Sequence, residues 1–528
     1  MTKRIWRWKA AVLIVAVVAV TAMVERTVAD EIATDDAIRR GDMVMSEDFR
    51  SEDGGTLRIE SPVGGRGDAA RRIEFPEPLL RKFAGCELLF RAKVRGIGVS
   101  EPPKSYNGVK FMLHVTTPTA PLWLQATLPH ETFDWRTAEF IATIPADAVA
   151  AELVLGLEAV SGEAEFDDVT ATVSRLPVVH PATPQPGQGP GGTAYIGHDC
   201  GRLRGAMIGK VNADDLREFG TEWNANHVRW QMYWGGFPNG PADTATADEY
   251  DTWLETELQR LDELLPVCAE SGILVVIDLH TPPGGRREDA VCNIFQRTED
   301  QQHFLRVWDR ISKRYVGNPT VWGYDLVNEP VEGVIPPGIM DWEELAAAAA
   351  RIVRQNDPDH AIIYEPTPWG SPDSLVRTRP LPDDIHGVVY SVHMYVPHVF
   401  THQGVYVPTD PPIVYPGEIG GVSWGREQMR RALQPVVDFQ RTYNVHIYLG
   451  EFGAIRWAPD ESAYRYLRDC IELAEEFGWD WAYHAFREWD GWSVEHSADR
   501  NDHRRTESPT LRKQLLLEWF GKSETPTE

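Results

Sequence analysis

Two glutamates in the second half of the sequence each directly follow a short apolar run. Glu329 follows VWGYDLVN (321–328), and Glu451 follows HIYLG (446–450). A carboxyl group can donate or accept a proton, or can attack an electrophilic carbon, so two of them facing each other can divide acid and nucleophile between them. These two side chains are the first candidates for catalysis.

Other polar residues hold similar positions at the ends of apolar runs. Each one alone has an ordinary role as a strand cap or loop residue, but together they supply the hydrogen-bonding groups of a substrate site. They are Arg229, Asp278, His280, Asn328, His393 and Tyr395. The histidines and the aspartate also allow a metal-dependent hydrolase, but no His-x-His lies on the first run and no His-Glu-x-x-His occurs. We therefore expect no metal and no cofactor.

Apolar runs and amphipathic stretches alternate from residue 194 onward. The eight runs are 204–209, 226–230, 273–280, 321–328, 361–365, 387–393, 446–450 and 481–486. The main amphipathic stretches are 248–270, 299–315, 341–356, 426–443 and 461–477. Eight strand–helix units predict an α/β fold, a (β/α)8 barrel over residues 194–522, and no strand is followed by the G-x-G-x-x-G turn of a dinucleotide-binding sheet. Active sites of such barrels lie at the carboxyl ends of the strands, so the candidate residues should converge on one rim.

The region before the barrel has a different pattern. Short apolar runs such as 86–94, 109–115 and 151–157 are separated by Gly, Pro and Asp, without sustained helical periodicity. This pattern predicts an all-β sandwich or jelly roll over residues 31–177. Residues 178–193 are rich in Pro and Gly and nearly uncharged, which predicts an extended linker.

The first 29 residues predict a secretory signal peptide. Four basic residues precede an apolar run at 10–24, and Thr27-Val28-Ala29 offers a cleavage site. The run is shorter than the roughly 20 residues of a membrane span, although an uncleaved anchor is the alternative. We therefore expect a secreted or periplasmic protein without membrane contact after cleavage.

The charge balance limits the partners. The chain has 52 Lys and Arg against 79 Asp and Glu, for a net charge of -27. Nucleic acid and anionic membranes repel such a molecule, whereas a neutral polysaccharide does not. Five cysteines without CxxC spacing are too few for a disulfide framework. The oligomeric state is left open.

The strand-end motifs resemble those of glycoside hydrolase family 5, the cellulase family. YDLVNEP supplies the Asn-Glu pair expected after the fourth strand, and IYLGEFG supplies the Glu of the seventh. The arginine of NHVRW, the histidine of DLH and the His-x-Tyr of HMY also stand where the family has them. The resemblance covers about residues 194–522.

The resemblance implies a role for each residue. Glu329 would be the acid/base and Glu451 the nucleophile of a retaining reaction, which needs two carboxyl groups about 5–5.5 Å apart. Arg229 and Tyr395 would hold Glu451 ionised, and Asn328 would bind the sugar 2-hydroxyl. His280 and His393 would bind sugar hydroxyls or orient the glutamates.

Aromatic residues offer flat surfaces for the apolar faces of sugar rings. The family has an aromatic platform after the eighth strand, and Trp489 or Phe486 of WAYHAFREWDGW would supply it. Further tryptophans at strand ends or in loops are Trp230, Trp234, Trp369 and Trp492. The closing strands of the first domain resemble carbohydrate-binding modules, with Tyr106, Trp123 and Trp135 as candidate contacts. A purely structural accessory domain is the alternative.

The sequence thus favours a retaining glycoside hydrolase that cleaves a β-linked polysaccharide, with endo-β-1,4-glucanase as the leading activity. β-Mannanase and β-1,3-glucanase activity within the same family are alternatives. A catalytically inactive carbohydrate-binding protein is the alternative from another class.

Overall fold

The computed structural model describes residues 38–47, 56–62, 69–104, 106–117, 121–235, 240–406 and 408–524. The chain divides into two compact units, which we call the N-terminal unit (Met1–Val178) and the barrel unit (Val179–Glu528). The predicted signal peptide, residues 1–29, lies outside the described residues. Within the described part of the chain, no helix has the length and apolar character needed to cross a bilayer.

The N-terminal unit contains two antiparallel sheets, which confirms its predicted all-β class. The strands are β1 Met43–Glu47, β2 Leu57–Ser61, β3 Ala69–Phe75, β4 Glu87–Val99, β5 Gly108–Thr116, β6 Leu122–Gln125, β7 Glu131–Thr143, β8 Ala150–Glu158 and β9 Gly162–Arg175. One sheet has the order β1-β9-β4-β7 with β2 also paired to β9, and the other has the order β3-β8-β5-β6. A six-residue helix that the sequence pattern did not predict, α1 (Glu77–Lys82), follows β3.

The two sheets of this unit share one core. Val109, Phe111, Leu113 and Val115, at every second position of β5, belong to this core, as the two-residue period of a strand with one face inside requires. Phe111 of one sheet meets Phe140 of the other at a ring-centroid distance of 5.0 Å, and Phe140 stacks on Phe90 at 4.8 Å. The aromatic contacts across the sheets make the unit a sandwich with its own core.

The barrel unit is a closed barrel of eight parallel strands surrounded by helices, which confirms the (β/α)8 prediction. The barrel strands are β10 Arg204–Ile208, β11 His227–Gln231, β12 Leu274–Asp278, β13 Val321–Asp325, β14 Ala361–Tyr364, β15 Val388–Met394, β18 Ile447–Phe452 and β19 Asp480–Phe486. A hairpin, β16 Gly417–Ile419 and β17 Val422–Trp424, lies between β15 and β18. The helices are α2 Ala213–Arg217, α3 Ala247–Glu270, α4 Thr298–Tyr315, α5 Trp342–Asn356, α6 His398–Thr401, α7 Arg426–Ala432, α8 Gln434–Tyr443, α9 Ser462–Phe477 and α10 Leu511–Phe520.

Local sequence explains where these elements begin. The barrel strands are buried along their whole length, except at His484, so their continuous apolar runs need no alternation. Helix α3 begins after Thr246, whose hydroxyl accepts the Glu249 N–H while the Glu249 carboxylate accepts the Thr246 N–H. Asp341 and Glu344 form the same reciprocal cap for α5. Such a cap satisfies two amides that the helix itself leaves without partners. All five cysteines are buried and free.

The segment predicted as a linker is bonded to the barrel unit. Gln188 donates to the Ile385 carbonyl at 2.9 Å and accepts the Val388 N–H at 3.1 Å. The Gln185 N–H donates to the Thr442 carbonyl at 2.7 Å. We call residues 179–193 the strap. Pro- and Gly-rich chain leaves most of its polar groups outside any ladder, so they can bond to neighbouring loops, and here they do.

A buried aspartate joins the first and last barrel strands at the amino-terminal end of the barrel. Asp480 begins β19, and its Oδ1 accepts the Leu203 N–H, just before β10, at 2.8 Å. Its Oδ2 lies 2.8 Å from His198 Nε2 and 2.6 Å from His446 Nε2. Burial raises the pKa of Asp480, but His446 and His198 outweigh it and hold the pKa well below its usual value. The carboxylate is therefore ionised and closes the barrel.

We expect Asp480→Asn to lower the free energy of unfolding at neutral pH by at least about 2 kcal/mol. The folded-state pKa is depressed, so this contribution is present above the ordinary carboxyl pKa of about 4 and is lost as the pH falls below it. Urea unfolding at several pH values should therefore show a difference between wild type and variant that shrinks in acid. Asp384→Asn, at an exposed pair with Arg351, should leave the midpoint unchanged. A difference that does not vary with pH would assign the effect to packing instead of charge.

Candidate active site

The carboxyl ends of the barrel strands surround one cavity of about 670 Å³. Strand register aligns the side chains, because Asp278 is paired with Asp325 and His393 with Glu451. The sequence-predicted residues that line the cavity are His280, Asn328, Glu329, His393, Tyr395 and Glu451. A cavity of this volume is typical of ligand sites.

Arg229 lies fully buried under this cavity, at the centre of a group of carboxyl groups. Its guanidinium donates to Glu451 Oε1 at 2.5 Å, to Glu365 Oε1 at 2.8 Å and to Asp325 Oδ2 at 2.9 Å. Asp278 Oδ1 lies 3.1 Å from the same group. Burial lowers the pKa of Arg229, but the four carboxyl groups outweigh it and raise the pKa well above its usual value. The cation is therefore permanent.

One member of this group has an environment that favours its protonated form. Burial, together with the charges of Glu365 and Asp278, raises the pKa of Asp325 far above its usual value, and Arg229 offsets only part of that rise. A protonated Asp325 leaves the guanidinium facing fewer anions, which reduces the charge that the interior must hold.

Glu451 has the environment of an ionised carboxylate. Besides Arg229, Tyr395 donates its hydroxyl to Glu451 Oε2 at 3.0 Å. His484 Nδ1 and His393 Nδ1 lie 3.7 and 3.8 Å from the same oxygen. Burial raises the pKa of Glu451, but His393, Arg229 and His484 outweigh it and bring the pKa far below its usual value. A carboxylate held in this state is suited to nucleophilic attack.

Glu329 is held through its backbone as well as its side chain. Its φ is 45°, in the left-handed region that costs a non-glycine residue about 1 kcal/mol. Its N–H donates to Glu365 Oε2 at 2.8 Å, and its carbonyl accepts from Arg286 Nη2 at 2.9 Å. The side chain bonds to His393 Nδ1 through Oε1 at 2.9 Å. Two buried charged groups thus fix the turn that aims Glu329.

His393 connects the two halves of the site. Its Nε2 lies 3.2 Å from Glu365 Oε1, on the side opposite its bond to Glu329. Burial lowers the pKa of His393, but Glu365, Glu451 and Glu329 outweigh it and raise the pKa well above its usual value. The His393 ring therefore bonds to Glu329, faces Glu365 at ion-pair distance and adds positive charge beside Glu451.

His280 and Asn328 form a second connected pair. Asn328 accepts from Arg229 Nη2 through Oδ1 at 3.1 Å, which turns its amide NH2 toward His280 Nε2 at 3.3 Å. His280 Nδ1 in turn lies 2.8 Å from Asp278 Oδ2. This chain places the imidazole proton on Nδ1 and orients the Asn328 amide at the cavity wall.

The two carboxyl groups are close to each other. The nearest oxygens of Glu329 and Glu451, together with a nitrogen of His393, lie within 4.8 Å of one another. That separation fits the retaining geometry of about 5–5.5 Å and is too short for the roughly 6.5–9.5 Å of inverting enzymes.

The two candidates for the aromatic platform differ in exposure. Phe486 is fully buried and packs on Phe219 at 4.4 Å. Trp489 is 42% exposed and contacts Trp492 edge-on, and it is not among the residues that line the cavity. The side chains from the eighth strand and its loop that line the cavity are those of His484, Glu488 and Trp492. His484 stacks on Trp492 at 5.2 Å and 27°.

Other aromatic side chains wall the cavity. Trp234 lines it and stacks on Trp253 at 5.1 Å, with the rings almost parallel. The remaining aromatic rings at the wall are Tyr233, Trp369 and Tyr406. Tyr406 belongs to the long loop after β15. Trp230, by contrast, is a core residue.

Among the described residues, two groups have donor atoms close enough for one metal ion: Glu329, His393 and Glu451, and the Asp480 group with His198 and His446. In both groups the shortest nitrogen–oxygen distances, 2.9 and 2.6 Å, are those of direct hydrogen bonds. A histidine that donates to a carboxylate accounts for each contact without an ion.

Sequence reasoning missed several members of the site, three of which lie in or directly after a barrel strand. Glu365 ends the apolar run AIIYE, Asp325 lies inside YDLVNEP, and His484 lies inside WAYHAF. Each is a titratable residue in a strand that is otherwise apolar, and that signal was present in the sequence. Their interaction partners could not be identified from the sequence, because the contacts with Arg229 and Glu451 join strands far apart in the chain.

We expect Arg229→Met to destabilise the fold by about 3–5 kcal/mol, since it leaves buried carboxylates without their cation. Denaturant unfolding at neutral pH measures this loss. Arg351→Met, which breaks an exposed pair with Asp384, is the control and should have no measurable effect. An Arg229→Met protein as stable as the wild type would show that the carboxyl groups tolerate its loss by taking up protons.

Comparison with known proteins gives a family. Residues 193–490 match the cellulase family, glycosyl hydrolase family 5. Endoglucanase C of Acetivibrio thermocellus is 27% identical over 255 residues, which cover 44% of this chain and 73% of that protein. Cellodextrinase A of Ruminococcus flavefaciens is 22% identical over 284 residues, covering 53% and 79%. Endoglucanase Cel5A of Thermotoga maritima aligns at a TM-score of 0.45 and 23% identity, covering 60% of this chain and 96% of that one.

The matched region spans more than half of the 528 residues and contains Arg229, Glu329 and Glu451 with all the carboxyl groups described around them. The chain therefore belongs to the cellulase family, glycosyl hydrolase family 5, and its barrel unit is a glycoside hydrolase.

Proposed function

We propose that the protein hydrolyses β-1,4-glucan with retention of configuration, with Glu451 as nucleophile and Glu329 as acid/base. The observation that carries this assignment is the contrast between the two glutamates. Glu451 is held ionised by Arg229, His393 and His484, whereas Glu329 contacts one histidine and faces the cavity.

The reaction follows from this contrast. Glu451 attacks the anomeric carbon, the bond to the glycosidic oxygen breaks, and Glu329 gives its proton to that oxygen. Glu451 thereby loses its charge in the glycosyl ester as Glu329 becomes a carboxylate, so the pair carries one negative charge in both states. Glu329 then takes a proton from water, whose oxygen attacks the anomeric carbon and releases Glu451.

The β-1,4-glucan assignment rests on the named relatives, an endoglucanase and a cellodextrinase, and on a cavity walled by aromatic rings. β-Mannan and β-1,3-glucan are the alternatives within the family. A panel of these polysaccharides, scored by release of reducing sugar, separates them. Absence of turnover on every member would favour an inactive carbohydrate-binding protein.

We expect Glu451→Ala to abolish turnover, and added azide should then yield the α-glycosyl azide from an activated β-cellobioside. Glu329→Ala should slow cleavage of natural substrates by about 10²–10⁴-fold while sparing activated leaving groups, because these need no general acid. Azide with this variant should give the β product. An α product from Glu329→Ala would exchange the two roles, and an inverted first product of the wild type, seen by NMR, would contradict retention.

We propose that Glu365 is a positioning residue for Glu329. Glutamine keeps the size of Glu365 but offers one oxygen, which cannot serve both Arg229 and the Glu329 N–H. Glu365→Gln should therefore lower kcat by on the order of 10²-fold with little change in KM, and the loss should be largest for poor leaving groups.

Glu332→Gln is the matched control for Glu365→Gln. Glu332 is also a buried glutamate that accepts a backbone N–H, from Trp342 at 2.7 Å. Its replacement should not change how kcat depends on the leaving group. An equal loss of kcat on all substrates for Glu365→Gln would contradict positioning of the acid.

A further inference from the structure

The sheet β3-β8-β5-β6 of the N-terminal unit has an outer face opposite its core. Val109, Phe111, Leu113 and Val115 pack in the core, so Met112 and His114, at the alternate positions of β5, point to the other side. Directly paired residues share a face, and His114 is paired with Trp123 of β6 and Glu152 of β8. We call this side, with Trp123 and the residues around it, the outer face.

Trp123 is held in place on the outer face although it is 56% exposed. Its ring stacks on His114 at 3.7 Å and 5°. His114 Nδ1 lies 3.1 Å from Glu152 Oε1, and Arg72 of β3 donates to the same oxygen at 2.5 Å. A row across all four strands therefore fixes the indole, with one ring face covered and the other open.

A second row of side chains on the same face holds the backbone of Tyr106. Its carbonyl accepts from Lys110 Nζ and from Gln125 Nε2, and Lys110 is almost fully buried. Lys110 Nζ lies 2.7 Å from Glu158 Oε2, so its charge is compensated. The tyrosine ring is 53% exposed, with Lys104 Nζ 5.3 Å from its centroid.

These rows hold two large rings in water, where burial against a ligand would stabilise them. The Trp123 ring loses little conformational entropy on binding because its stacking on His114 already fixes it, and the backbone of Tyr106 is held by two hydrogen bonds. Arg72 with Glu152 and Lys110 with Glu158 are paired, which favours a neutral ligand over an ionic one. A sugar ring fits both features, since its C–H faces are apolar and its hydroxyl edges hydrogen-bond to side chains such as Gln125 and Glu152.

We infer that the outer face binds one strand of a neutral β-linked polysaccharide through Trp123 and Tyr106, at a site separate from the catalytic cavity. The identity of that polysaccharide as β-1,4-glucan rests on the proposed function. The site itself does not, because it follows from the rings, their fixation and the paired charges.

The test uses the full-length chain in native gels containing hydroxyethylcellulose, β-mannan or laminarin. Trp123→Ala and Tyr106→Ala should weaken retardation by about 10-fold, and activity on insoluble cellulose should fall with it, since a second site raises the local concentration of substrate. The kcat/KM on a short aryl cellobioside should be unchanged. Trp123→Tyr should restore retardation, which excludes misfolding as the cause.

Trp135→Ala is the matched control. Trp135 is an exposed tryptophan, 36% accessible, on β7 of the other sheet. It should retain full retardation, and equal losses for Trp135→Ala and Trp123→Ala would overturn the inference, as would unchanged retardation of Trp123→Ala. If the aryl cellobioside is cleaved but no polymer gives Trp123-dependent retardation, the inferred site is wrong and the proposed function is unaffected. Trp123-dependent retardation on mannan or laminarin alone, without cleavage of cellulose, overturns the proposed substrate and leaves the site.

Discussion

The barrel mouth depends on a single buried guanidinium. Four buried carboxyl groups from four different strands or strand ends converge on one point, and such a group of acids needs a cation at hydrogen-bonding distance. Arg229 supplies that cation from the second barrel strand, and its donors reach Asp325, Glu365 and Glu451 in fixed directions. The planar guanidinium thus sets the relative positions of strands as well as their charges.

The same arrangement gives Glu329 and Glu451 different electrostatic environments. Positive charge is concentrated around Glu451, where it maintains an anion. Glu329 is held instead by two neighbours. Glu365 accepts its backbone N–H, and His393 bonds to its side chain. Since Glu365 also bonds to Arg229, one buried carboxylate connects the surroundings of both glutamates. The protonation states of these groups are therefore coupled, and each depends on the charges of the others.

The barrel could be predicted because the patterns that identify its strands and helices are local in the sequence. Apolar runs such as 273–280, with amphipathic stretches between them, identify strands and helices, and strand ends mark the rim. The cavity-lining role of His484 and Glu488 could not be predicted, because side-chain directions after β19 depend on backbone turns such as the one at Arg487. Glu365 and Asp325 were overlooked since a lone acid at a strand end has many ordinary uses. Their importance comes from partners on other strands, which sequence order does not reveal.

The strap has a consequence for how this chain can be divided and recombined. A break at residue 194 would take away the Gln188 amide that satisfies the Val388 N–H at the start of β15, together with the Gln185 contact to Thr442. The Pro- and Gly-rich composition shows that this segment is extended. Its hydrogen bonds show which of the two units it belongs to. The strap therefore belongs with the barrel, and a division of the chain that keeps these bonds falls at Val178–Val179, not at residue 194.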